Sequence, residues 1–521
     1  MGFKILKRIR VGVSLLFFLL IFFLFIDFTN SFSAFLVNSI LYLQFIPSLI
    51  KFLDHAALAV AGFVFILLLT LLFGRIYCST FCPLGTLQDI IIFLSKKFKK
   101  RKVFKYAEPK NLLRFSILII VVVTFLGGSI LLINLLDPYS VFGKMISNLV
   151  RPVYYTANNL GVAVFERFEI YVLFPVKLKS YSWLTFGFSI SMLGLIGWLA
   201  IYKGRLYCNT VCPLGTLLGI TSRFSLFKIR LDESACTSCG ICGSVCKSGC
   251  INTREKSVDF SRCVGCFNCL TVCGSGGVVF QPRVLNSTKP ALNETPQIND
   301  RRSFIKNSAL ISAGVLQISK QSFTQGLNNG KVPVKKEFPV TPPGSISIAQ
   351  FTGKCTACHL CISACPTHVL QPSLLHYGLA GIMQPTMDYK ASFCNFECTL
   401  CSEICPTGAI LPIEPEKKKL TQLGKAHFIK ENCIVYTDEK DCGACSEHCP
   451  TKAVNMVFYK GTLKIPEVNA EICVGCGACE YACPTTPKSI YVDGNPVHLI
   501  AEKPKTEEVI IEVDTEEDFP F

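Results

Sequence analysis

Twenty-four of the chain's 29 cysteines fall into six groups of four, and no other feature restricts its fold as strongly. The groups are Cys236, Cys239, Cys242 and Cys246; Cys263, Cys266, Cys269 and Cys273; Cys355, Cys358, Cys361 and Cys365; Cys394, Cys398, Cys401 and Cys405; Cys433, Cys442, Cys445 and Cys449; and Cys473, Cys476, Cys479 and Cys483. Four share one spacing, with gaps of three, three and four; the fourth and fifth groups widen the first gap to four and nine. Three closely spaced thiolates wrap one corner of a [4Fe-4S] cube, and the fourth turns away to ligate a partner cube. Six quartets therefore imply six [4Fe-4S] clusters arranged in pairs. A disulfide scaffold is short and secreted, whereas this chain has 521 residues. Zinc ribbons use Cys-x-x-Cys pairs but do not repeat such quartets six times. Cys355-Thr356-Ala357-Cys358-His359 matches a c-type haem attachment pattern, yet its cysteines open a complete quartet and cannot serve both.

In the first module the spacing predicts Cys236, Cys239 and Cys242 with Cys273, and Cys263, Cys266 and Cys269 with Cys246. Pro366, Pro406, Pro450 and Pro484 follow the last cysteine of the later quartets, but Lys247 and Gly274 stand there in the first two. Cys250 is left over, as a packing thiol or a substitute for Cys246.

Half the residues are hydrophobic and mean hydropathy is +0.44, which excludes a disordered chain. Apolar stretches at 11–28, 56–73, 115–136 and 183–202 approach the roughly 20 residues that span a bilayer. The expected fold is an α-helical membrane domain of four transmembrane helices in two similar hairpins, joined to α+β ferredoxin-like modules. Net charge is +16, but the basic residues flank these stretches: Lys4, Lys7, Arg8 and Arg10 before the first, Lys96–Lys105 after the second. They read as positive-inside signals with both ends of the helical unit in the cytoplasm, and no nucleic-acid partner is expected. Asp54 and His55, at the outer end of the second stretch, are an interfacial pair or acceptors of substrate protons.

Residues 74–87, Gly-Arg-Ile-Tyr-Cys-Ser-Thr-Phe-Cys-Pro-Leu-Gly-Thr-Leu, recur at 204–217 as Gly-Arg-Leu-Tyr-Cys-Asn-Thr-Val-Cys-Pro-Leu-Gly-Thr-Leu. Each copy delivers a Cys-x-x-x-Cys-Pro to the same side, so Cys78, Cys82, Cys208 and Cys212 are candidate ligands of one further centre of unassigned type. Packing of helix ends by small residues is the plainer reading.

Between the cluster regions, Asp300-Arg301-Arg302-Ser303-Phe304-Ile305-Lys306 precedes an uncharged segment, as in a twin-arginine export signal. Export in the folded state suits a protein whose clusters are assembled in the cytoplasm. The segment is either cleaved or kept as a fifth anchor. The expected units are a membrane domain at 1–230, a cytoplasmic two-cluster module at 231–280, and a linker at 281–349 with the signal at 300–320. A periplasmic four-cluster module at 350–495 and a tail at 496–521 follow.

On the paired Cys-x-x-x-Cys-Pro motifs and the first two quartets, residues 1–280 resemble the NapH-type membrane ferredoxins. On the twin arginine and four later quartets, residues 300–490 resemble the NapG/MauM-type ferredoxins. The resemblance implies a fusion of the two in a bacterial inner membrane, acting as a quinol dehydrogenase-type oxidoreductase component. It would take electrons from menaquinol or another quinone-pool member and pass them to a periplasmic reductase or cytochrome. Resemblance to four-cluster ferredoxin subunits implies nested pairing, with the outer two of the last four quartets together and the inner two together. Two other readings are a maturation or thiol/metal reductase acting on a partner enzyme, and a conduit fed by a cytosolic donor.

Overall fold

The computed structural model describes residues 2–27, 31–55, 61–98, 104–176, 183–282 and 332–503; the twin-arginine segment and Glu507–Phe521 lie outside them. The N-terminal half is helical. α1 (Gly2–Ile26) has no charged side chain after Arg10. α2 (Ala34–Tyr42) and α3 (Phe45–His55) form a pair bent by 98°, in a stretch to which the sequence reading gave no element. α4 (Gly62–Phe73), α5 (Tyr77–Thr80) and α6 (Pro83–Phe98) carry the first repeat copy. The apolar stretch 115–136 is not one rod. It divides into α7 (Asn111–Leu126) and α8 (Leu131–Leu136), because Gly127 and Gly128 interrupt it and Gly128 takes a φ of 82°.

The long connection that follows is helical too. α9 (Pro138–Met145) starts at a strong cap: Asp137 Oδ2 accepts from the Ser140 amide at 2.9 Å and hydroxyl at 2.7 Å, and Pro138 opens the helix. A π-helical turn at Ile146–Val150 leads into α10 (Arg151–Glu166). α11 (Trp183–Lys203), α12 (Leu206–Thr210) and α13 (Pro213–Ser222) carry the second copy. By length and apolarity, α1 and α11 qualify to cross a membrane among the described residues, with a third crossing if the bent α2–α3 pair counts as one.

The two copies fold alike for the same local reason. Each apolar helix ends at a glycine in the left-handed region, Gly74 (φ 77°) and Gly204 (φ 66°), then makes one short helix. The second cysteine breaks that helix, and the following proline begins the next one.

The inner cysteine module contains strands β1 (Phe227–Leu231), β2 (Ile251–Asn252), β3 (Ser257–Val258) and β4 (Val278–Pro282), with β1 antiparallel to β4 and β2 to β3. Short helices α14 (Ile241–Ser244) and α15 (Asn268–Val272) carry Cys242 and Cys269. The outer module contains β5 (Leu370–Pro372), β6 (Pro385–Met387), β7 (Thr421–Phe428), β8 (Val454–Lys460), β9 (Leu463–Val468) and β10 (Ile490–Ile500), paired β5–β6, β7–β10 and β8–β9. Its packing begins upstream of the first cysteine: Val340 is buried and its carbonyl accepts from the Met387 amide at 3.0 Å.

One helix relates the modules. Leu6, near the start of α1, packs on the inner module's core, while Phe25 and Ile26 at its end pack with Cys358 and Leu360 of the outer module. At 1.5 Å per residue α1 is about 36 Å long, the scale of a bilayer.

Candidate metal centres

In the inner module, burial pushes the Cys242 thiol up, and neighbouring Cys236, Cys239 and Cys273 push it the same way. Cys269 is raised by burial and then by Cys266, Cys263, Cys246 and, last, Cys242. These neighbours reproduce the pairing that the spacing predicts, with the two sites adjoining. Cys250 is more than packing. Its Sγ lies 3.5 Å from that of Cys246, and it lines one cavity with Cys246, Cys263, Cys266 and Cys269. The two sulfurs share this hydrogen bond, which pulls the Cys246 thiol below its usual value despite burial.

The outer module overturns the nested expectation. Cys361 has Cys355, Cys358 and Cys405 as its nearest thiols, and Cys365 lines a cavity with Cys394, Cys398 and Cys401. Cys445, which burial pushes up to about 12, neighbours Cys442 and Cys483, and Cys433 neighbours the same two. Cys479 neighbours Cys476, Cys473 and Cys449. The third and fourth quartets thus exchange their last cysteines, and so do the fifth and sixth. The Cys394 amide donates to the Cys476 carbonyl at 3.0 Å and joins the two pairs.

The loops fit a cluster. In every quartet of regular spacing, the residues on both sides of the second cysteine are left-handed: Ser238 and Gly240, Gly265 and Phe267, Ala357 and His359, Gly475 and Gly477. That curl turns successive amides inward around the sulfurs, as in anion-binding nests. Where the first gap widens it is absent; Thr399 and Gly443, after Cys398 and Cys442, have φ of −114° and −122°. Backbone amides also point at last cysteines, Ile410 to Cys405 at 3.4 Å and Ala453 to Cys449 at 3.2 Å. Among the described residues no three thiol, imidazole or carboxylate groups close tightly enough to hold a single ion. His359 is buried, and its Nε2 lies 3.0 Å from the Met383 carbonyl, so the ring is committed inside the loop and the haem pattern is incidental.

The repeat brings Cys78, Cys82, Cys208 and Cys212 together in one core, each 4–5% exposed, with Cys266 of the inner module in that same core. The copies are strapped crosswise. Arg75 Nη2 donates to the Cys208 carbonyl at 2.9 Å, and Arg205 Nη1 to the Cys78 carbonyl at 3.0 Å. Gly85 and Gly215 make room for this: a Cβ on either would meet the opposite guanidinium at 2.8 Å. The Gln88 amide reaches Cys208 Sγ at 3.3 Å. Asp89 ties the site to the inner module, pairing with Arg10 at 2.6 Å, Arg205 at 2.8 Å and Lys247 at 3.1 Å.

α9 separates the repeat thiols from the outer module. Val141 and Met145 pack with the thiols, while Arg151, just beyond, donates to the Ile362 and Ser363 carbonyls at 3.1 and 2.5 Å. Fully buried Lys144 donates to the Asn134 carbonyl at 2.7 Å and to its side-chain oxygen, beneath Cys355 and Cys358. Sequence reasoning missed Lys144, Arg151 and Asp89; their signal was charge inside otherwise apolar or neutral helices. Of the suggested proton acceptors Asp54 and His55, the side chains lie outside the described set.

Residues 56–101 and 184–232 match the 4Fe-4S binding domain family, and residues 354–409 and 432–486 match the 4Fe-4S dicluster domain. The chain is 30% identical over 158 residues to the methylamine utilization ferredoxin-type protein MauM of Methylophilus methylotrophus, covering 28% of this chain and 66% of that protein. It is 28% identical over 188 residues to the ferredoxin-type protein NapG of Escherichia coli, covering 34% and 78%. To the methylamine utilization ferredoxin-type protein MauN of Methylobacillus flagellatus it is 24% identical over 188 residues, covering 36% and 51%. The chain therefore spans from about half to about four-fifths of these relatives' lengths. No solved structure matches. With paired thiol sets of this geometry, the chain is a ferredoxin-type iron–sulfur electron-transfer protein.

Proposed function

We propose that this protein oxidises menaquinol or another quinol at a bacterial inner membrane and delivers the electrons to a periplasmic reductase or cytochrome. The observation that carries the reading is the attachment of a cysteine module at each end of α1, a helix of bilayer length. In this reading the N-terminal half is a NapH-type unit whose four crossings are α1, α4, α7–α8 and α11, with a cytoplasmic N-terminus. The segment 300–320 is a twin-arginine signal that carries the outer module to the periplasm.

The six thiol sets hold [4Fe-4S] clusters, which accept and release electrons singly when bound. The protein's own residues bind the donor and take its protons. An amphipathic cavity lies where α1 meets the outer module, between Leu24, Phe32 and Val37 on one wall and Leu360, Leu400 and Ile404 on the other. Asp27 and Glu403 also line it, and the lining residues Leu360 and Leu400 directly precede Cys361 and Cys401 in the short helices Leu360–Ala364 and Leu400–Glu403. A quinol ring fits an apolar slot of this kind, and the carboxylates accept the two protons it loses.

A thiol or metal reductase acting on a partner needs accessible sulfur, and burial of all four repeat thiols weighs against that reading. The test is anaerobic protein in liposomes mixed with a reduced menaquinone analogue, followed by cluster absorbance and EPR. Rapid bleaching with reduced-cluster signals is expected. Reduction only by a low-potential cytosolic donor would replace the quinol reading with a conduit entered from the inner module.

A further inference from the structure

We propose that a basic cavity where α13 runs into the inner module binds the phosphate headgroup of an anionic phospholipid from the cytoplasmic leaflet. The cavity has a volume of about 470 Å³, within the usual range for ligand sites. It lies along the edge of β1 that is not paired with β4. Residues 228–231 line one side and residues 258–261 the other, and Arg223 and Lys256 complete it.

Four of the lining residues are cations, Arg223, Lys228, Arg230 and Lys256, against one carboxylate, Asp259. That carboxylate is already engaged. Its Oδ1 accepts from the Ser261 amide and hydroxyl at 3.1 and 2.7 Å, and its Oδ2 pairs with Arg262 at 2.6 Å. Lys228 Nζ donates to the Arg223 carbonyl at 2.5 Å and Lys256 Nζ to the Glu233 carbonyl at 2.9 Å, which fixes where both ammonium groups stand. Among the described residues, neither the Arg223 nor the Arg230 guanidinium has a hydrogen-bond or ion-pair partner. Like charges gathered on one short edge repel one another, and a bound anion relieves that repulsion. A phosphate diester suits the set, because its oxygens accept from guanidinium forks and ammonium groups together.

The surroundings make the anion a lipid. β1 is fastened to the end of α4: the Leu226 amide donates to the Leu71 carbonyl at 2.7 Å, and the Phe227 ring stacks on Phe73 with centroids 5.6 Å apart. In the reading above α4 crosses the bilayer and ends on its cytoplasmic side, so the cavity sits at headgroup depth. Phe224 and Leu226, in the chain between Arg223 and Lys228, are 68% and 47% exposed. Such side chains in water cost free energy, whereas below the headgroups they are buried among acyl chains. Basic pockets at the cytoplasmic ends of membrane helices hold anionic headgroups by this combination. A soluble phosphate ester would use the cations but leave Phe224 and Leu226 in water. The inference rests on the membrane placement proposed above and is independent of which donor reduces the protein.

The test uses the full chain in detergent, titrated with phosphatidylglycerol, phosphatidylcholine or glycerol phosphate and followed by native mass spectrometry. Phosphatidylglycerol should be retained in preference to phosphatidylcholine. Arg223→Gln combined with Arg230→Gln should weaken its binding about 30-fold, as expected for two cations near a headgroup. Arg223→Lys combined with Arg230→Lys should keep most of it, and Lys417→Gln, an exposed cation of the outer module, should change nothing. Unaltered cluster absorbance shows that the variants are folded. Equal retention of the two lipids, or unchanged affinity in the Gln variant, would overturn the proposal. Displacement of the lipid by an equal concentration of glycerol phosphate would overturn it in favour of a soluble phosphate ester. Release of the protein from liposomes by alkaline carbonate would overturn the membrane placement itself, whereas protein that stays bound without lipid preference overturns this site alone.

Discussion

Gly143 meets Cys358 backbone to backbone, so that a Cβ added to Gly143 would lie 2.3 Å from the Cys358 carbonyl oxygen and 2.6 Å from the Phe25 ring. This contact seats the outer module on α9, the helix whose other side packs on the repeat thiols. Gly143→Ala should cost about 1–3 kcal/mol, the usual range for overpacking. Limited proteolysis of the outer module, compared with its thermal midpoint, checks this; unaltered protection would mean the modules do not dock as described.

Exchange of last cysteines between consecutive quartets makes its own prediction. Cys365→Ser should remove or alter the cluster expected at Cys394, Cys398 and Cys401, and Cys405→Ser the one at Cys355, Cys358 and Cys361. EPR of the two variants distinguishes this from nested pairing, in which Cys365→Ser would disturb the site of Cys473, Cys476 and Cys479 instead.

Asp89 joins the helical unit to the inner module through three cations. Burial alone would raise its carboxyl, but Arg205, Lys247 and Arg10 outweigh burial and hold it at about 2. A depressed carboxyl stabilises the fold above its unfolded value and loses that contribution as pH falls toward the folded one. Stability owed to this group should therefore be flat from about pH 5 to 8 and decline below about pH 4. Asp89→Asn should cost about 3–5 kcal/mol, as for other buried pairs that lose one partner. Thermal melts of the variant across that pH range test both statements.

Glu403 lines the cavity between α1 and the outer module. If it accepts a quinol proton, Glu403→Gln should slow reduction by quinol about 100-fold and leave reduction by dithionite unchanged. Stopped-flow bleaching with each reductant separates the outcomes. Equal slowing with both would indicate damage to the module rather than loss of a proton acceptor.

Much of the chemistry was legible because it is local. Three cysteines within seven residues can wrap a cluster whatever the rest of the chain does, so the quartets announce their sites directly. The repeat was legible for the same reason, since glycine, a short helix and Cys-Pro impose one backbone path in both copies. The continuous stretch at 115–136 misled because its apolarity continues through Gly127 and Gly128, while helical geometry does not.

The sequence by itself determined the number of thiol sets, the pairing within the inner module, and the presence of a helix long enough to cross a bilayer. Only the tertiary structure decided that consecutive outer quartets exchange cysteines, that Cys250 faces a cluster cavity, and that α2 and α3 bend. It alone set Arg75 and Arg205 across each other's cysteines and Lys144 beneath the outer module. The division follows interaction range: ligand spacing and helix length depend on neighbours along the chain. A fourth ligand comes from a neighbouring quartet that only the fold selects, and a buried counter-charge or a docking surface depends on segments more than a hundred residues apart meeting in one core.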